Sequence, residues 1–272
     1  MEQTKETKRV LVGWPGFDGS VLLSGNNPAL VNDAHRTKCQ SAIAALNERP
    51  VFPVQANIIS DTGAELTEYL AEFWQQNPNL VQEGWTVKIA DLRCVCTIQP
   101  QVEIINSKER TNIPTKNDMV EIAKISIPKT NPIPLACSFD HIKNAFVFSS
   151  PNPNLKILAP VNTAEGIFGF SVGIANSFVQ VVKVNDRYFM RDGHHRAYGF
   201  LSNEINLVPV LYREFNSIND IGLPQGLFPP ETLIGNNPPR LLDYFDDTVS
   251  GIAEFTRPTK VVVVQGLEIA TI

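Results

Sequence analysis

The sequence predicts an α+β protein, and three observations support this class. Apolar residues recur at helical spacing between residues 64 and 75, whereas residues 178–191 are rich in β-branched and aromatic residues. Twenty prolines and sixteen glycines divide the chain into short elements joined by long irregular connections. The 272 residues suffice for one large domain or two modest ones.

The composition is that of a globular chain. Apolar residues make up 43% and charged residues 19%, and no run approaches the roughly 18 apolar residues that span a bilayer. The net charge of −5 argues against a broad nucleic-acid-binding surface but leaves room for a small basic pocket. The polar N-terminus carries both charge signs and lacks the apolar core of a signal peptide, which favours a cytoplasmic protein.

The first half of the chain predicts two helices and a strand. The clearest helix runs from Ala64 to Gln75, because four apolar side chains fall on one face: Leu66, Tyr69, Leu70 and Phe73. Asn32 to Leu46 has weaker helical spacing. Trp85 to Ile98 predicts a strand with Cys94 and Cys96 on one face. Since no paired C-x-x-C spacing accompanies them, reduced thiols are favoured over a metal site.

The second half predicts a strand–turn–strand–helix–strand unit. Phe178–Val184 and Arg187–Arg191 are β-rich, and the Asn185-Asp186 connection suits a tight hairpin. A helix from Gly193 to Asn203 and a strand from Leu207 to Tyr212 follow.

Three further elements are expected outside this unit. Asp140–Phe148 predicts a short helix, and Pro239 suits the first residue of a helix that runs to Phe245. Val261–Val264 predicts a strand that adds to a sheet and ties the tail to the body. Three nearby acids, Asp243, Asp246 and Asp247, favour a solvated helix face over a cation site.

The most informative segment lies between the hairpin and its helix. Gly193 permits a sharp turn and close approach of a ligand, and Asp192 is suited to capping the helix. His194, His195 and Arg196 then occupy the first helical turn, where unpaired amides and the helix dipole favour anions. Arg196 is able to bind a phosphate or carboxylate through two N–H groups. The segment therefore predicts a site for one anionic group.

Other interpretations of these residues stay open. The two histidines also fit a structural turn with local hydrogen bonds, or less well a metal site, because ligand spacing at i and i+4 is missing. Arg196 also fits an ion pair with Glu204, Glu214 or an N-terminal carboxylate. His35 and His141 stand alone and favour ordinary structural roles.

The hairpin, the Gly-x-x-Arg signature that opens a helix, and the Val208-Pro209-Val210 strand resemble the ParB/sulfiredoxin superfamily. The resemblance covers residues 181–210, and extends over 119–213 if Met119–Ile127 is the first strand of that domain. In the ParB branch the signature resembles Gly-Glu-Arg-Arg and the fold binds CTP. In sulfiredoxins it resembles Gly-Cys-His-Arg, with a catalytic cysteine and ATP as co-substrate, and a third branch contains free-serine kinases.

This resemblance implies a divergent member of the superfamily. Gly193 and Arg196 match the shared frame, and His195 matches the sulfiredoxin histidine. His194 stands at the position of the sulfiredoxin cysteine, so sulfiredoxin chemistry is expected to be absent. The same residue replaces the ParB glutamate, which puts CTP hydrolysis in doubt, and no DNA-binding part of ParB is evident.

A second candidate segment precedes the hairpin. Phe168–Gly173, with Gly166 nearby, predicts a flexible loop that faces a phosphate or substrate beside Gly193, through Gly169 and Ser171. It does not match a P-loop, which requires Gly-Lys-Ser/Thr.

Together these features predict an N-terminal α+β region (1–114), a ParB/sulfiredoxin-like domain with a mixed sheet (115–215) and a proline-rich extension packed on the body (216–272). The expected function is binding of a nucleotide or other phospho-ligand. If the protein is an enzyme, phosphoryl transfer or nucleotide hydrolysis is expected, with His195 moving a proton and Mg²⁺ accompanying a nucleoside triphosphate. The alternative is a non-catalytic protein-interaction module that uses the proline-rich segments and Trp14, Trp74 or Trp85 for docking.

Overall fold

The computed structural model describes residues 5–53, 58–129, 135–150, 152, 154–164, 167–222, 226–256 and 259–266. These residues form both helices and mixed sheets, which confirms the predicted α+β class. They divide into two compact units, a larger one within Thr4–Lys129 and Phe178–Phe255 and a smaller one chiefly within Thr130–Ser177 and Thr256–Ile272. The division differs from the predicted one, since the boundaries after residues 114 and 215 both fall inside the larger unit.

The helices of the larger unit are α1 (Gly19–Leu23), α2 (Asp33–Glu48), α3 (Thr67–Gln76), α4 (Pro78–Gln82), α5 (Ile105–Arg110), α6 (Met119–Ser126), α7 (His194–Ser202) and α8 (Pro230–Ile234). The strands in chain order are β1 (Lys5–Leu11), β2 (Ile59–Ser60), β3 (Thr86–Asp91), β4 (Cys96–Thr97), β5 (Gln101–Glu103), β6 (Ala136–Asp140), β7 (Ala145–Ser150), β8 (Leu155–Ala164), β9 (Ile167–Ile174), β10 (Gln180–Val184), β11 (Arg187–Asp192), β12 (Leu207–Phe215), β13 (Ser250–Thr256) and β14 (Lys260–Gln265). Within the described ranges, no helix has the length and apolar character that crossing a membrane requires.

A six-stranded mixed sheet organises the larger unit, in the order β2-β3-β12-β10-β11-β4. The hairpin β10–β11, the helix α7 and the strand β12 confirm the predicted strand–turn–strand–helix–strand unit. Its turn is tight because Asn185 adopts a positive φ of 52°. Strand β12 runs parallel to β10 and antiparallel to β3. Helix α7 therefore connects β11 to β12, and this connection crosses the central strand β10.

Helix α7 lies against α5 at a very short backbone distance. A Cβ atom on Gly199 would lie 2.0 Å from the Ser107 carbonyl oxygen and 2.5 Å from Thr111 Oγ1. Asn203 Nδ2 donates to the Lys108 carbonyl at 3.1 Å, immediately after the helix. Only glycine allows this approach, so the residue sets the distance between the two helices.

Two segments of the larger unit differ from the prediction. Met119–Ile127 is not a strand: Asp118 Oδ1 accepts hydrogen bonds from the amides of Val120 and Glu121 and caps α6. The predicted strand from Trp85 to Ile98 is interrupted by a 3₁₀ turn between β3 and β4, so Cys94 and Cys96 do not share a strand face.

The tail also begins its helical turn later than predicted. Leu241–Phe245 form a 3₁₀ helix, and Pro239 lies before it as a backbone partner, its carbonyl accepting from the Thr97 amide at 2.9 Å. This bond joins the tail to the edge strand β4.

The smaller unit contains a three-stranded sheet, β14-β7-β6, and the two-stranded hairpin β8–β9. Strand β14 pairs with β7, which confirms that Val261–Val264 adds to a sheet. The helix predicted over Asp140–Phe148 is wrong, because Asp140 Oδ1 accepts from the Ile142 and Lys143 amides and turns β6 into β7. Phe168–Gly173 is part of strand β9 rather than a loop, and Gly166 lies outside the described residues.

The chain leaves the larger unit after α6 and re-enters it just before β10. At this point the Val179 amide donates to the Ser126 carbonyl at 2.7 Å, and the Val179 carbonyl accepts from the Leu211 amide at 2.9 Å. The two ends of the excursion therefore meet beside the central strands.

Replacing Gly199 with alanine tests the α5–α7 contact. In an ordinary helix, replacing glycine with alanine stabilises the helix by about 1 kcal/mol. Here the clash with the Ser107 carbonyl should lower the free energy of unfolding by about 2–4 kcal/mol, as overpacking of a core does. Urea denaturation followed by circular dichroism measures the effect.

Ser202→Ala in the same helix is the control. The Ser202 hydroxyl is buried and has no hydrogen-bond partner among the described residues, so its loss should leave stability unchanged or raise it. A Gly199→Ala variant as stable as Ser202→Ala would contradict the contact.

Candidate functional site

Gly193 determines how helix α7 begins. It is buried, adopts a φ of +89°, and a Cβ atom there would lie 2.8 Å from Val179 Cα. Asp192 does not cap the helix as expected, because its Oδ1 accepts from the Gly193 amide at 2.6 Å instead. The helix therefore starts on glycine, without a side-chain cap over its first amides.

Arg196 extends from this turn to the C-terminal end of α6. Its side chain is buried, with 4% of the residue exposed, and Nη1 donates to the Ile125 and Ser126 carbonyls at 3.1 and 3.4 Å. Burial lowers the pKa of Arg196 to about 10, and nearby Asp192 opposes the shift, so the guanidinium stays charged at neutral pH. A cation at a helix C-terminus is favourable, because carbonyl groups and the helix dipole face it.

The predicted ion pairs of Arg196 with Glu204 and Glu214 do not form. Glu204 instead pairs with Lys116 at 2.5 Å, and Glu214 lies 3.9 Å from Lys183. Arg196 donates to the main-chain carbonyls at the end of α6.

His194 lies in the core. Only 4% of it is exposed, and burial lowers its pKa to about 3, with a smaller contribution from His195. Its Nε2 atom has no hydrogen-bond partner among the described residues. The same part of the chain contains no group of three or more histidine, cysteine, aspartate or glutamate residues arranged to hold a metal ion.

His195 faces β5 and the loop before it. Its Nδ1 accepts a hydrogen bond from the Glu103 amide at 3.0 Å, and its Nε2 lies 3.4 Å from Gln99 Nε2. Because Nδ1 is the acceptor, the proton of the neutral ring resides on Nε2. This geometry favours His195 as a hydrogen-bond donor through Nε2.

Three cations act electrostatically on His195. The pKa of His195 is lowered to about 4, chiefly by burial and also by the charges of Lys8, Arg110 and Arg196, whereas Glu103, the largest of the charge effects, opposes the shift. Two further carboxylates act on these cations, Glu6 on Lys8 and Asp192 on Arg196. Sequence reasoning identified Arg196 alone, because Lys8 and Arg110 lie far away along the chain and belong to no motif.

The two outlying cations differ in their surroundings. Lys8 is half-buried, with its Nζ 3.9 Å from the centre of the Phe255 ring. Arg110 is exposed at the end of α5 and forms no hydrogen bond or ion pair with the described residues. Arg110 is therefore the cation best placed to meet an incoming anion.

The remaining predicted site residues belong to the smaller unit. Gly169 pairs with Val161 and Ser171 with Ala159, within the β8–β9 hairpin. The structure thus gathers residues 192–196 into one site and describes Gly169 and Ser171 as strand residues.

Two other expectations are settled by burial. Asp243 is 1% exposed and pairs with Arg49 and Arg240 at 3.0 and 2.8 Å, so it lies neither on a solvated face nor in a cation site. Trp14 and Trp85 are buried, so neither indole is exposed for docking a partner.

Comparison of the chain with models of known protein families gives no match, and neither do comparisons with curated proteins and with solved structures. The relationship to the ParB/sulfiredoxin superfamily therefore stays a prediction. What is known of the site is its geometry at the start of α7.

The depressed pKa values of His194 and His195 predict a loss of stability in mild acid. Both folded-state values lie below the ordinary value of about 6.5, so between about pH 6.5 and 4 the unfolded chain binds more protons. The stabilisation is complete above pH 6.5. The free energy of unfolding should then fall as the pH decreases, by up to about 1.4 kcal/mol per pH unit for each histidine. Urea denaturation at several pH values measures the slope.

His195→Asn is the informative variant, because asparagine keeps an acceptor near Nδ1 but does not titrate. It should flatten the slope, and His35→Gln, which preserves the capping box of α2, is the control for replacing a histidine outside the site. Parallel profiles for wild type and His195→Asn would show that His195 does not carry the pH dependence.

Proposed function

We propose that the protein binds a phosphorylated small molecule, with a nucleoside triphosphate as the leading candidate, at the start of α7. One observation carries the proposal. Lys8, Arg110 and Arg196 all act electrostatically on His195, as does the opposing carboxylate Glu103, beside the amide end of a helix. An anion placed there would gain from the cations and from the helix dipole together.

Three cations act on His195 although the molecule as a whole is acidic. The whole chain has a net charge of −5, so a local cluster of cations is not a by-product of composition. Arg110 and Arg196 repel each other, since the charge of Arg110 contributes to the lowered pKa of Arg196. A bound phosphate relieves this repulsion, which is a source of affinity that a neutral ligand does not have.

Each residue has a distinct part in the proposed site. Arg196 is held by hydrogen bonds to the α6 carbonyls and supplies positive charge from the buried side of the site. Arg110 is exposed, and its guanidinium is able to donate hydrogen bonds to two phosphate oxygens. His195 donates from Nε2. Mg²⁺ is expected on the phosphates, because it usually binds through substrate oxygens and few protein carboxylates.

The expected superfamily resemblance supports the same assignment. Its nucleotide-binding branches carry a Gly-x-x-Arg signature where a hairpin enters a helix, and Gly193 and Arg196 occupy those positions in this chain. The four cysteines, which are all free thiols, are consistent with the cytoplasmic location that we propose. A docking module built on Trp14 or Trp85 is not supported, because both residues are buried.

Titration calorimetry with ATP, CTP and GTP in the presence of Mg²⁺ tests the proposal. Arg110→Ala should weaken binding about tenfold or more, as loss of a charge-assisted contact does, because it removes the exposed cation and leaves the fold intact. Lys108→Ala is the matched control, since it removes an exposed cation from the same helix, and this cation is not among the charges around His195. Raising the salt concentration should weaken binding to wild type more than to Arg110→Ala.

If Arg110→Ala and Lys108→Ala weakened nucleotide binding equally, the overall charge of the protein, and not the position of Arg110, would determine the affinity. No detectable binding of any nucleotide would overturn the assignment of a triphosphate ligand. Arg196→Ala is a poorer test, because it also frees the two α6 carbonyls and so confounds binding with stability.

A further inference from the structure

A second concave site lies at the opposite end of the β10–β11 hairpin. A cavity of about 200 Å³ opens there, with room for roughly six or seven water molecules at the density of the liquid. It is lined by residues from the hairpin, from α8 and from the segment after α2: Phe52, Val184, Asp186, Arg187, Phe189 and Ile234. Its lining shares no residue with the cations around His195.

Arg187 is the cation of this cavity. It is half-buried, and Nη1 donates to the Leu233 carbonyl at 2.9 Å, which fixes the guanidinium against α8. It forms no ion pair with a carboxylate among the described residues. Asp243, the buried acid nearby, is already paired with Arg49 and Arg240.

The groups around Arg187 do not offset its charge. The Cys96 thiol is near enough for Arg187 to influence it, but burial raises the pKa of that thiol to about 12, so it stays neutral. Asp186 lies at the exposed tip of the turn and forms no ion pair with Arg187. Arg187 therefore has no ion-pair partner among the described residues to compete with a carboxylate ligand.

Four apolar side chains form most of the other walls, and Asn185 and Asp186 of the turn complete the lining. Phe189 and Val184 are buried in the core beneath the cavity, whereas Phe52 is half-buried and Ile234 is 56% exposed at the rim. A ligand entering between these side chains would cover aromatic and aliphatic surface. Apolar walls with a few polar groups are the usual composition of a small-molecule site.

We propose that this cavity binds a small monocarboxylate with an apolar body, such as an aryl or branched aliphatic acid. The carboxylate pairs with Arg187, and the apolar body lies between Phe52, Phe189 and Ile234. Strand β11 separates this site from the start of α7 by five residue steps, roughly 16 Å at 3.3 Å per residue. It therefore stands independently of the proposed phosphate site.

Ligand-observed NMR and titration calorimetry with the full chain test the proposal, using phenylacetate and isovalerate as probes. Phenylacetamide has the shape of phenylacetate without the charge. Wild type should bind phenylacetate saturably and at least about tenfold more tightly than phenylacetamide, the margin expected for a charge-assisted pair. Equal binding of acid and amide would overturn the role of Arg187, and no saturable binding of either acid would overturn the site.

Three variants assign the binding to this cavity. Arg187→Met should lose about tenfold or more in affinity for phenylacetate, while Lys183→Met, which removes a neighbouring cation on the same hairpin outside the cavity, should not. Ile234→Trp alters only the exposed rim, so it should fold normally and block entry. It keeps the test decisive if Arg187→Met unfolds, because unchanged binding by Ile234→Trp would place the probe elsewhere.

Discussion

Burial of the first turn of α7 is the constraint on which the larger unit depends. A positively charged guanidinium sits inside the fold, and it is tolerated because the last carbonyls of α6 accept its hydrogen bonds. The position of α6 is in turn fixed by its Asp118 cap, and the position of α7 by the left-handed Gly193 packed on Val179. The end of one helix and the start of the next are thus held together through a single side chain.

This arrangement separates stability from recognition. The residue that the sequence marks most clearly as an anion ligand, Arg196, holds two helices together, and its neighbour His194 is a neutral core residue. The groups that remain accessible, Arg110 and Lys8, come from α5 and β1. Surface residues at such a site are free to change without unfolding the protein, whereas the motif itself is held by packing.

Local chemistry determined which elements could be predicted from sequence. The hairpin, α7 and β12 follow from alternation, turn residues and glycine, and these signals agree with one another. Met119–Ile127 and Asp140–Phe148 were assigned wrongly because a single aspartate decides each: Asp118 starts a helix, and Asp140 makes a turn. A hydrogen bond from a side chain to the backbone two or three residues away determines the local conformation at these positions. A short pattern of apolar residues does not reveal it.

The candidate site was predictable only in part, for a different reason. The segment 192–196 stands out as a motif. The residues that surround it come from distant parts of the chain, and no local sequence pattern predicts those contacts. Glu103 and Gln99 reach His195 because β5 pairs with β1, and Arg110 arrives through the close approach of α5 to Gly199. Such contacts become visible only once the sheets are assembled.

The hydrogen bond between Val179 and Ser126 has a consequence for how the chain is threaded. It brings together the ends of one segment of roughly fifty residues that belongs to the smaller unit, and the chain passes into that unit again after Phe255. Closing so long a segment costs only about 2 kcal/mol more in chain entropy than closing one of five residues, because the cost rises with the logarithm of length. The host sheet can therefore carry an insertion of almost any size between α6 and β10 without altering the order of its strands.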